Sequence, residues 1–141
     1  MKNKNIFIFI PLIGYVGLWI LGSVIFLVYF KIFNISIDLE YTVMIQKIPT
    51  LLAILTVPLC SLTSFFITTK ILLQKNAVSL NIMNIFQIGI ISLLFTIGLD
   101  LLITVVVQKI NILVFPLNLM YLFAWLIIIP SIFLAGYSKT K

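Results

Sequence analysis

The sequence predicts an all-α polytopic membrane protein, a bundle of four transmembrane helices in a single domain spanning residues 1–141. Three observations carry that prediction. The chain is 63% hydrophobic and only 9% charged, whereas a soluble domain carries roughly 25% charged and 45–50% apolar residues. A water-soluble fold of this length leaves too much surface exposed to hide that apolar content, and a bilayer removes the conflict; the mean hydropathy of +1.32 agrees. The apolar residues also fall into four runs bounded by lysines, each of the roughly 20 residues needed to cross a ~30 Å hydrocarbon core.

The first run, about 6–30, lies between Lys4 and Lys31. A cleaved signal peptide would have an apolar stretch of about 7–15 residues ending at small residues. This run is longer, ends in Val28-Tyr29-Phe30-Lys31 and lacks such a site, so it reads as a retained span. Residues 31–47 are the most polar connection, with Asn34, Ser36, Asp38, Glu40 and Gln46. Apolar residues alternate there around Ile35 and Ile37, the pattern of a short interfacial segment.

The second run, about 49–69, starts at Pro49, which suits the first turn of a helix because its missing N–H is no loss there. Pro58 falls mid-span, which membrane helices tolerate. A polar turn is expected from Asn76 to Asn81. The third run, about 84–107, contains Asp100 as the single charge between Lys75 and Lys109. The fourth, about 113–136, has Pro116 near its start and Pro130 near its end, and Lys139 and Lys141 follow.

Cytoplasmic segments are enriched in basic residues. With both ends inside, the inner segments hold Lys2, Lys4, Lys70, Lys75, Lys139 and Lys141, and the outer ones Lys31, Lys47 and Lys109. The expected location is therefore the cell membrane, multi-pass, with both termini cytoplasmic. The net charge of +6 is explained by this bias. Nucleic acid is not an expected partner, because its readers cluster charge on one face and lean on arginine, and all nine basic residues here are scattered lysines. The expected partners are the lipid bilayer and, within it, a second copy or another membrane subunit.

The chemistry available is narrow. There is no histidine, the commonest general base and metal ligand, and one cysteine, Cys60, which excludes an intramolecular disulfide and a paired-cysteine redox site. No catalytic residue, cofactor or metal site is expected. Small multidrug exporters carry a first-span glutamate, absent here, and membrane glutathione and eicosanoid enzymes rely on arginines, also absent.

The third span is the informative one. Gly89, Ser92, Thr96, Asp100 and Thr104 follow at steps of three or four residues, which share a helix face. Steps of four drift about 40° each, so the stripe is broad enough to meet two partner helices. Thr56, Cys60, Ser64 and Thr68 form a similar row on the second span, of the small and hydroxylated kind that lets helices approach closely in lipid. A carboxylate in a span costs roughly 2.5–3.5 kcal/mol or more, and such residues face a bundle interior or a water-filled cavity. With no lysine or arginine inside any span, Asp100 is expected either protonated in a dry interior or ionised beside water from the outer side. Counting its depth into the other spans names Ser23, Thr56, Asn118 and Tyr121 as candidate partners. The candidate polar layer is then Asp100, Ser92, Thr96, Thr104, Thr56, Ser23, Asn118 and Tyr121.

The stretch Leu93-Leu94-Phe95-Thr96-Ile97-Gly98-Leu99-Asp100-Leu101-Leu102, with Tyr121 and Ile129-Pro130, resembles small bacterial four-span membrane proteins of no assigned activity. Those proteins similarly carry Leu-Asp late in the third span and an apolar-Pro pair near the end of the fourth. The resemblance covers about 50 residues of the C-terminal half and implies an architecture and no function. The functional expectation is a non-enzymatic packing or interaction subunit, with a small proton- or ion-coupled transporter or channel using Asp100 as the alternative.

Overall fold

Hydrocarbon offers no water to bond a backbone amide, so a span must close its own hydrogen bonds, and a helix does. The computed structural model describes residues 2–75, 81–111, 113 and 116–137. Helix α1 is Lys2–Ile32, α2 Tyr41–Gln46, α3 Thr50–Lys75, α4 Ile82–Asp100 and α5 Leu117–Tyr137. A π-helical segment, Leu101–Val107, continues α4 without a break. Among the described residues there is no strand. The fold is an all-α bundle whose four long helices are each apolar and long enough to cross a membrane. Even the shortest of the four spans, α5 at 21 residues, is about 32 Å long at about 1.5 Å per residue.

The helix ends show where the chain departs from the expected boundaries. Pro49 stands just ahead of α3, its carbonyl accepting from the Ala53 N–H at 3.1 Å. Helix α3 continues past 69 to Lys75; the Lys70 ammonium lies 5.7 Å from the centre of the Phe66 ring, a long stem folded along the apolar helix surface. The Asn81 side chain caps α4 by accepting from the Asn84 N–H at 2.8 Å. Helix α5 begins at Leu117 and not near 113. Asn111 accepts from the Leu113 N–H at 3.0 Å, a local side-chain turn that competes with helix, and the Pro116 carbonyl takes the first helical bond, from Met120 at 3.1 Å. Of the expected polar turn at Asn76 to Asn81, residues 76–80 lie outside the described residues, as do Lys139 and Lys141.

Helix α1 packs chiefly on α3 and α4, and α5 on α3 and α4. The ring order is therefore α1, α3, α5, α4, which sets α3 and α4, consecutive in sequence, across a diagonal. One end of the core joins Ile6 and Ile10 to Phe65, Leu73, Ile85, Ile88, Ile128 and Ile132. The other joins Phe26, Ala53, Leu117 and Met120 to Ile35, Ile45 and Ile48 of the α2 region. The segment between α1 and α3 thus folds onto the bundle end. Its alternation separates two faces: Ile35 is 7% exposed and Ile37 71%.

Close approach explains the small residues. The Ser64 hydroxyl donates to the Gly14 carbonyl at 2.7 Å. A Cβ at Gly14 would strike the Phe65 ring, and one at Gly17 the Ser64 hydroxyl, so α1 can lie this near α3 only with glycine at both positions. Ser61 likewise donates to the Ala124 carbonyl of α5 at 3.1 Å. Outward, the helices present large apolar side chains such as Leu59, Leu94 and Leu126, the surface a bilayer solvates.

Candidate functional site

Asp100 is the last residue of α4 before the π-helical segment, and it is 3% exposed. Its Oδ1 accepts from the Tyr15 hydroxyl of α1 at 3.0 Å. Its Oδ2 accepts from the Trp125 indole N–H of α5 at 2.7 Å. One carboxylate therefore ties α4 to both helices that flank it in the ring. Aromatic rings surround this junction. Tyr15 meets Phe95 edge-on at 6.3 Å and Trp19 at 6.3 Å, and Tyr121 lies 6.1 Å from Trp125.

Beyond Asp100 the helix loosens. The Gln108 N–H bonds the Ile103 carbonyl at 2.9 Å and the Ile110 N–H reaches back to the Thr104 carbonyl at 2.9 Å. The chain then turns out through Lys109 in the left-handed region at φ 56°. Such π segments recur at functional sites. Thr104, fully buried, lies 3.3 Å from the Tyr121 hydroxyl.

Where the loosened end of α4 faces α1, a cleft of about 760 Å³ extends from the α2 region down to Asp100. That volume lies in the range of about 300–1,000 Å³ typical of small-molecule sites. Asp100 and Tyr121 line it at depth, Ser23 and Gly22 belong to its α1 wall, and Glu40, Tyr41, Gln108 and Lys109 lie at its α2 end. Burial, and secondarily the Tyr121 phenol, holds the Tyr41 hydroxyl well above the usual tyrosine range, so Tyr41 lines the mouth as a neutral group. The charged residues lining the cleft are Glu40, Asp100 and Lys109, two acids and one base.

The predicted residues separate into groups. Asp100, Ser23 and Tyr121 line the cleft. Thr104 joins it indirectly, through Tyr121. Ser92 and Thr96 are fully buried along the same α4 stripe, with no hydrogen-bond partner among the described residues. Thr56 lies elsewhere: its hydroxyl donates to the Leu52 carbonyl at 2.6 Å and sits 3.1 Å from the Tyr29 hydroxyl. Asn118 is exposed and accepts from the Leu119 N–H at 2.8 Å.

None of the four depth-matched candidates, Ser23, Thr56, Asn118 and Tyr121, bonds Asp100; Tyr15 and Trp125 do. The reasons are geometric. Thr56 belongs to α3, across the diagonal from α4. On α5 a start at 113 puts Tyr121 at the depth of Asp100, whereas eight residues in from the true start at Leu117 is Trp125. On α1, 31 residues long or about 46 Å, the helix ends are not level with those of α4, which defeats a count from the ends. A signal for both partners was nonetheless in the sequence. A tyrosine or tryptophan deep in a span carries a polar handle that needs a partner when buried, and Tyr15 and Trp125 both stand well inside their runs.

Asp100 has no second acid beside it, and among the described residues no group of three His, Cys, Asp or Glu side chains could hold a metal ion. Its two oxygens offer about four lone-pair positions, of which Tyr15 and Trp125 occupy two. No family model, curated protein or solved structure matches this chain.

Proposed function

We propose that this is a non-enzymatic membrane protein that takes up a proton or small cation at Asp100, in the manner of a small ion-coupled transporter or channel. The observation that carries the reading is the position of Asp100: the one acid in a span also lines the cleft of about 760 Å³ at depth. Both of its hydrogen-bond partners are donors, an arrangement that suits a carboxylate, and its free lone pairs are what a proton or cation would use. Ser92 and Thr96 continue the polar stripe past Asp100, while Ile85, Ile88, Ile128 and Ile132 close the bundle beyond them. That is the pattern of a path open at the α2 end and shut by an apolar plug at the other. Six lysines against three place the α2 end away from the cytoplasm in this reading.

The test is proton uptake into proteoliposomes driven by a potassium diffusion potential, wild type against Asp100→Asn. Wild type is expected to acidify the lumen faster than protein-free vesicles, and the variant is expected to lose that excess. Equal rates for wild type and empty vesicles would overturn the reading. A second reading, a packing or interaction subunit, is favoured by the carboxylate's bridge across three helices; it predicts no flux and a loss of stability in the variant.

A further inference from the structure

The shape and lining of the cleft narrow what it can accept. Three charged side chains line it, and Glu40 and Lys109 both belong to its α2 end, where opposite signs offset one another. Asp100 remains as the uncompensated charge, at depth. Between floor and mouth the walls carry the aromatic rings of Trp19, Phe26 and Phe30, with Tyr41 at the mouth. Aromatic faces attract cations held within about 6 Å, and more strongly once water is removed. An anion would meet a buried carboxylate, and a strongly hydrated inorganic ion would leave the apolar walls unused. A volume of about 760 Å³ also exceeds what a proton or a metal ion requires.

We infer that the cleft is a binding site for a hydrophobic organic monocation, its charge directed at Asp100 and its apolar body against the aromatic walls. This rests on the reading of Asp100 as the working group of the cleft, but it needs binding only and not translocation.

Gly22 supplies a test that leaves the carboxylate alone. It lines the cleft, and a Cβ built on it would meet nothing within 4 Å, so a larger side chain there enters open volume. Gly98 is equally unobstructed but does not line the cleft, and serves as the matched control. The probe is tetraphenylphosphonium, measured by equilibrium dialysis on the full chain in detergent, with empty micelles subtracted and folding checked by thermal melting. Wild type and Gly98→Leu are expected to bind it equally. Gly22→Leu is expected to abolish binding at an unchanged melting temperature, and Asp100→Asn to weaken it by about tenfold or more, from the loss of a charge pair in a partly buried site. Neutral triphenylphosphine oxide should not compete. Undiminished binding to Gly22→Leu would overturn the site. Full competition by the neutral compound would overturn the charge requirement and mark the cleft as a simple apolar one, open to lipid. Asp100-dependent proton flux without tetraphenylphosphonium binding would sink this inference and leave the ion-uptake reading standing; binding without flux would do the reverse.

Discussion

Each Asp100 oxygen accepts from a donor on a different helix, so the residue's replacement is felt on three helices at once. Asp100→Leu removes both acceptors and leaves the buried Tyr15 phenol and the half-buried Trp125 indole N–H without that partner, at roughly 1–3 kcal/mol for a buried unsatisfied group. Thermal unfolding in detergent is expected to show this as a marked loss of stability. Tyr15→Phe, which removes one donor and leaves Oδ1 available to the cleft, is expected to cost less than Asp100→Leu. Equal melting temperatures for all three proteins would remove Asp100 as a structural junction. Asparagine is not a neutral replacement either. Its amide oxygen can satisfy one donor, but its NH₂ then faces the other. The acid itself was legible in the sequence, because a charge in an apolar run is visible by inspection. Its partners were not, because which side chains meet depends on where helices start and which ones are neighbours.

At the scale of the element, Ser64 of the small-residue row on the second span differs from its neighbour Thr63, outside the row, in what it touches. Ser64 faces α1 at its closest approach, against Gly14 and Gly17. Thr63, one residue earlier, is exposed and bonds only its own helix, at the Leu59 carbonyl. Ser64→Leu is expected to destabilise the protein by roughly 1–3 kcal/mol through overpacking, whereas Thr63→Leu should leave the melting temperature unchanged. Similar effects for both would mean that α1 and α3 are not in contact there. The spacing of small residues revealed that an interface existed, since residues four apart share a face. The π-helical segment had no such signature: Leu101 to Val107 reads as ordinary apolar helix. Its widened turns, and the late start of α5, are properties of how the chain leaves the bundle at that end.

For the whole molecule, the lysine distribution gives an expected orientation with both termini cytoplasmic, and orientation decides which side the cleft opens on. In a Cys60→Ser background, cysteine placed at position 38 is expected to react with an impermeant thiol reagent in intact cells. Cysteine at position 3 or 140 should react only after permeabilisation. Labelling at 3 and 140 in intact cells would invert the orientation and turn the cleft toward the cytoplasm. Four spans, an all-α architecture and a lone intramembrane acid were determined by the sequence alone, because each depends on local composition: a long uncharged run must become a helix in lipid whatever surrounds it. The ring order of the helices, the bond from Asp100 to Tyr15 and Trp125, and the cleft between α1 and the loosened end of α4 were decided only by the tertiary structure. Lipid solvates every outward face equally, so apolar periodicity does not say which neighbour a helix takes; close packing and the pairing of buried polar groups do.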